Sequence, residues 1–209
     1  IVIGADDQVL YSVSHKSPRE VLMDTHLFLR TIVERSFFIW LLLIKREKIS
    51  GLFFNEKRLF LEDALFYIHL LSKPLKCLYV PISFYAYRKH LNSITIRPHP
   101  QKLDDMVSFI NLCLEMSKKQ IKYQINREII RIGTSFYLYL CLVIAELDNK
   151  YIDKNKFIVN HDIFLIRKLI VQNYFKFFPS FKQLVCVFPV RVLILCYYLR
   201  NKFVSFIDA

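Results

Sequence analysis

The chain has 209 residues, 54% of them hydrophobic and 15% aromatic, with only 3 Gly and 7 Pro. That composition excludes intrinsic disorder and supplies ample material for a buried core, in one domain or in a core with an appendage. Thirty basic against 18 acidic residues leave a net charge of +12, which points to an anionic partner: a nucleotide substrate, nucleic acid or an acidic membrane face.

Ile1-Val2-Ile3-Gly4 reads as the end of a buried strand, with no basic segment before it, so no signal peptide is expected. The opening reads instead as that of a fragment whose upstream half has been cut away. Ser17-Pro18-Arg19-Glu20 predicts a helix start, with Ser as N-cap, Pro at N1 and Glu reaching back from N3. Apolar residues at 21, 22, 28, 29, 32 and 33 extend that helix to about Arg35. Phe37–Ile44 fits a buried strand or a short buried helix, and the chain then turns through Gly51. Glu62–Leu71 predicts a second helix, with Leu65, Ile68 and Leu71 inward and Lys73-Pro74 as its stop. Leu78–Val80 and Ile82–Tyr87 are β-rich runs that place Pro81 at a strand end.

The texture changes near Pro98–Pro100. Downstream, Lys102–Lys118, Asn126–Leu147 and Ile163–Phe177 carry helical patterns, and an aromatic-rich stretch from Phe181 to Ile207 follows. Between Ile163 and Ile207 lie seven basic residues and no acidic one. The longest unbroken apolar runs are ten residues (Phe136 to Ala145) and eight (Phe37 to Ile44). A membrane span needs about 20, so none is expected. The five cysteines, Cys77, Cys113, Cys141, Cys186 and Cys196, are widely spaced among apolar neighbours with no Cys-x-x-Cys pair. Buried, inert thiols in a reducing compartment are expected, and no zinc site.

Chemistry concentrates between Trp40 and Ser93. Glu62 and Asp63 are adjacent carboxylates in an otherwise apolar segment. At a helix start they serve the free N–H groups and the dipole equally well. In the alternative, one faces a cleft as an ionised general base while the other is tied to backbone or to a basic side chain. Taken in order, Trp40, Lys45-Arg46-Glu47, Leu52-Phe53-Phe54, Glu62-Asp63-Ala64-Leu65-Phe66, Tyr79-Val80-Pro81 and Tyr85-Ala86-Tyr87-Arg88-Lys89-His90-Leu91-Asn92-Ser93-Ile94 resemble the second half of family 2 glycosyltransferases. These are inverting enzymes of the GT-A fold that build bacterial surface polysaccharides. The resemblance covers 1–98, under half the chain.

The resemblance implies an α/β fold class: the C-terminal part of a Rossmann-like GT-A domain over 1–98, then a basic, aromatic-rich and mainly helical region over 99–209. It implies a hexosyltransferase-type enzyme, inactive alone as this fragment, that moves a sugar from a nucleotide-sugar donor to a hydroxyl of a glycan or lipid-linked acceptor with inversion. Asp63 matches the catalytic base and Glu62 its partner. Trp40 matches an aromatic beside the acceptor, although packing next to Phe37 and Phe38 accounts for it equally. Arg46 is assigned weakly to the acceptor side, pairing with Glu62 or lying outside the site. Arg88, His90 and Ser93 match positions near the donor diphosphate, where a cation offsets leaving-group charge. For Arg88 the alternative is a surface cation, and for His90 a metal contact or plain exposure.

A divalent cation, Mg²⁺ or Mn²⁺, is expected in the full-length enzyme, its ligands mostly outside this chain because the family's Asp-x-Asp motif lies further upstream than Asp6-Asp7. No metal site is expected within the fragment. The expected location is cytoplasmic, at the inner face of the membrane. The basic tail alone supports a second reading, a non-catalytic helical module that binds an anionic membrane surface. Nucleic acid is not an expected partner, because helix-turn-helix spacing, zinc patterns and aromatic strand motifs are missing.

Overall fold

A computed structural model describes residues 2–3, 9–11, 19–33, 37–82, 85–88, 99–119, 123–147, 153–177, 188–189, 191–194 and 196–197. The chain forms two compact units, Ile1–Arg97 and Pro98–Ala209.

Among the described residues the first unit carries five short strands in two sheets. β1 (Val2–Ile3) pairs antiparallel with β2 (Val9–Tyr11) and parallel with β5 (Tyr87–Arg88). β3 (Val21–Asp24) pairs antiparallel with β4 (Lys76–Tyr79), in the register Val21↔Tyr79 through Asp24↔Lys76. This corrects the helix expected from Ser17. Ser17 and Pro18 lie outside the described residues, and Glu20 precedes a strand. The Val-Leu-Met run alternates, with Leu22 exposed and Met23 buried, and pairing with β4 overrides the local helical spacing. The helix starts only at Asp24, whose carboxylate accepts the Leu27 N–H at 2.8 Å, and spans α1 (Thr25–Phe28) before widening into a π turn over Leu29–Val33. The buried Thr25 hydroxyl donates to the Lys73 carbonyl at 3.0 Å and accepts from the Leu75 N–H at 2.6 Å, tying this turn to the chain before β4.

α2 spans Glu62–Leu71 as the sequence predicts. Ile68 and Leu71 are buried but Leu65 is only half-buried, and Ala64, Phe66, Tyr67 and Leu70 complete its inward face. The first predicted β run begins two residues early, at Lys76, and ends at Tyr79 before Pro81. Of the second run, Ile82 is exposed, 83–84 lie outside the described residues, and only Tyr87 reaches a strand.

The second unit is helical: α3 (Pro100–Met116), α4 (Tyr123–Glu146), α5 (Lys154–Asn160) and α6 (Ile163–Phe177). Pro100 stands at the start of α3, and His99 Nδ1 accepts the Gln101 N–H at 3.2 Å. α5 is a short helix that the spacing did not predict. It is capped by Asp153 Oδ1 on the Lys156 N–H, and the Lys154 ammonium meets the Ala145 carbonyl at 3.1 Å. α3 lies against α4, with Phe109 edge-on to Phe136 at 4.9 Å and Gly133 facing Cys113.

Gln124–Ala145, within α4, is long and apolar enough to cross a membrane by length and composition, and 67% of its apolar window is buried within the protein. Counting unbroken apolar runs missed it. Of the charges that interrupt it, Glu128 and Arg131 are buried, with Arg131 Nε meeting Glu128 Oε2 at 2.6 Å, while Arg127 is half-buried.

The cysteines correct a second expectation. Cys113 and Cys141 are buried, but Cys77 is half-buried and Cys196 exposed; Cys186 lies outside the described residues. Burial pushes the Cys141 thiol up to about 12, partly offset by a hydrogen bond with Tyr137, and raises Cys113 further.

Candidate active site

The site is built on the first turn of α2. Leu61, just before it, adopts φ 64° and ψ 20°, a left-handed conformation that costs a branched-chain residue roughly 1–2 kcal/mol. No side-chain cap serves this terminus. Asp63 is the second residue of the helix, and its carboxylate accepts a hydrogen bond from the Ile39 backbone N–H, within a 3-10 turn over Ile39–Leu41.

One helical turn along, the Tyr67 hydroxyl donates to the Phe38 carbonyl at 3.1 Å, and the Tyr67 ring stands edge-on to Phe37 at 5.9 Å. Two α2 side chains four residues apart thus hold the turn that carries Trp40. Phe37–Ile44 is neither the buried strand nor the buried helix expected. None of the 3-10 turn's residues is fully buried, because side-chain anchors rather than core burial fix it.

Trp40 stacks on Tyr87 at 5.3 Å with an interplanar angle of 1°, on Phe38 at 4.8 Å and on Tyr85 at 5.6 Å. The outer members Phe38 and Tyr85 remain 37% and 41% exposed. Both readings of Trp40 keep a footing: it packs, yet within a partly open group of rings carried on the turn whose Ile39 N–H meets Asp63.

Burial raises the Asp63 carboxyl above its ordinary value, Glu62 raises it further, and the Ile39 N–H pulls it back in part. A carboxylate with a raised pKa is a better match to proton abstraction near neutral pH than an ordinary aspartate. Burial, and Asp63 after it, raise the Tyr67 phenol, so it stays a neutral donor.

Glu62 is half-buried beside Asp63. Arg46 is exposed on the turn Arg46–Lys48, and no ion pair joins it to Glu62 among the described residues. Arg88 is exposed on β5, one residue beyond Tyr87, and strand alternation sends it to the side opposite that ring. His90 and Ser93 lie outside the described residues, as do Asp6 and Asp7.

Among the described residues no group of three or more His, Cys, Asp or Glu side chains is placed to hold a metal ion.

The sequence reading missed Tyr67 and the two β5-side tyrosines as parts of the site. The signals were Tyr67 four residues after Asp63 and the two-residue spacing of Tyr85 and Tyr87. No protein-family model, curated protein or solved structure matches the chain.

Proposed function

We propose that this chain is the acceptor-side half of an inverting family 2 glycosyltransferase, which transfers a sugar from a nucleotide-sugar to a hydroxyl of a glycan or lipid-linked acceptor. The observation that carries the reading is Asp63 itself: half-buried, with a raised pKa, at the uncapped start of α2 and bonded to the turn that presents Trp40. In this reading Asp63 takes the proton of the acceptor hydroxyl as its oxygen attacks the anomeric carbon. The new C–O bond forms as the bond to the nucleoside diphosphate breaks, its electron pair leaving on the diphosphate. The Ile39 N–H holds the base in place, Glu62 positions it, and the rings of Phe38, Trp40 and Tyr85 offer a flat apolar wall to a pyranose. Arg88 and, by the resemblance, His90 and Ser93 attend the diphosphate.

The test is Asp63→Asn in the full-length protein, assayed for transfer from nucleotide-sugars. The amide oxygen can still accept the Ile39 N–H, so the fold is kept while the base is lost. Transfer should fall by about 100- to 10,000-fold. Turnover close to that of the unaltered protein would remove Asp63 from the chemistry and the transferase reading with it.

A further inference from the structure

Residues 42–53 leave α2 and return to it. At the outgoing end, Asp63 and Tyr67 hold Ile39 and Phe38. At the returning end, Phe54 stacks on Phe66 at 4.7 Å and 12°. Phe66 lies between Asp63 and Tyr67 in the sequence, so both ends of the loop are held by the same turn of α2. Between them the chain is ordered by its own hydrogen bonds, Lys48 N–H to the Lys45 carbonyl at 2.9 Å and Leu52 N–H to the Ile49 carbonyl at 2.9 Å. The turn at Gly51, φ 76°, stands in open space, where an added Cβ would touch nothing within 4 Å.

Just beyond each anchor an apolar side chain is spread into water: Leu43 is 96% exposed and Phe53 86%. Between them Lys45, Arg46 and Lys48 are all exposed, against Glu47 alone. A single exposed Leu or Phe needs no explanation. Two nearly bare ones at the shoulders of an anchored, cationic loop are another matter, because the charge between them suits an anionic leaflet.

We propose that the loop 42–53 docks on an anionic lipid bilayer, with Leu43 and Phe53 entering the headgroup–acyl boundary and Lys45, Arg46 and Lys48 lying on the lipid phosphates. The docking surface is thereby assigned to the first unit rather than to the basic C-terminal tail. It stands apart from the transferase reading, since it requires no chemistry at Asp63.

The experiment is flotation of the whole chain with phosphatidylcholine vesicles, with and without phosphatidylserine. Leu43→Ser/Phe53→Ser should lower partition onto anionic vesicles by about tenfold or more, with unchanged thermal stability, because neither side chain is buried. Replacing Lys45, Arg46 and Lys48 with Gln should cost about fivefold per residue on anionic vesicles and far less on neutral ones. Trp40, the chain's one tryptophan, sits three residues from Leu43, and its emission should be quenched by brominated lipids. Three results would each overturn the proposal: no vesicle binding by the unaltered chain, binding that survives the loop changes without quenching of Trp40, or concentration-dependent self-association lost in the double variant, which would make the loop's occupant a second copy.

Discussion

Asp63 titrates higher in the folded chain than in the unfolded one, and the sign of its effect on stability follows. The native state holds the proton more tightly, so protonation favours folding. That contribution is fully present below the ordinary carboxylate value of 3.8 and is lost as pH rises through the raised folded value. At neutral pH the ionised, half-buried carboxylate is a stability cost. Asp63→Asn should therefore gain melting temperature relative to the unaltered protein at pH 7, and the gain should shrink or reverse at pH 3, where both side chains are neutral. Thermal unfolding followed across that range checks it, and a difference independent of pH would mean the carboxyl is not desolvated. At this scale the sequence named the carboxylate from its type and its place before an apolar helix. Its half-buried setting was not legible, because the Ile39 N–H that meets it comes from 24 residues upstream.

Elements differ in how far their own residues decide them. α2 and α6 match their expected spans end for end, and α3 and α4 agree within three residues at either end, because periodicity and end signals are local. β3 was misread, since its partner β4 lies more than 50 residues away and supplies every ladder bond. The α3–α4 contact carries a prediction of its own. A Cβ on Gly133 would lie 2.8 Å from the Cys113 Cβ, too close for either backbone to absorb without moving. Gly133→Ala should thus destabilise by about 1–3 kcal/mol through overpacking, against the roughly 1 kcal/mol that alanine ordinarily gains over glycine in a helix. Cys113→Ala should not rescue it, because the clashing atom remains; Cys113→Gly should recover part of the loss. Chemical denaturation of Gly133→Ala alone, of each Cys113 change alone and of the two combinations measures the coupling, and full rescue by Cys113→Ala would put the clash at the sulfur.

For the molecule as a whole, the second unit has a core of its own, in which Phe109, Ile110, Ile129, Ile130, Leu140, Ile144 and Ile166 are buried. Residues 98–209 expressed alone should keep a helical far-UV spectrum and melt cooperatively. A gradual, non-cooperative melt would mean that this core is incomplete without residues 1–97. What the sequence determined by itself was local: helices from apolar spacing, the end of α2 from Lys73-Pro74, a cationic composition, and the paired carboxylates. Only the tertiary structure decided which backbone N–H Asp63 meets, which rings flank Trp40, and that Leu43 and Phe53 face water. Those outcomes join residues up to 47 positions apart, such as Trp40 and Tyr87. Periodicity within a window of one or two turns carries no information on such pairs, because packing between elements, not propensity within them, selects them.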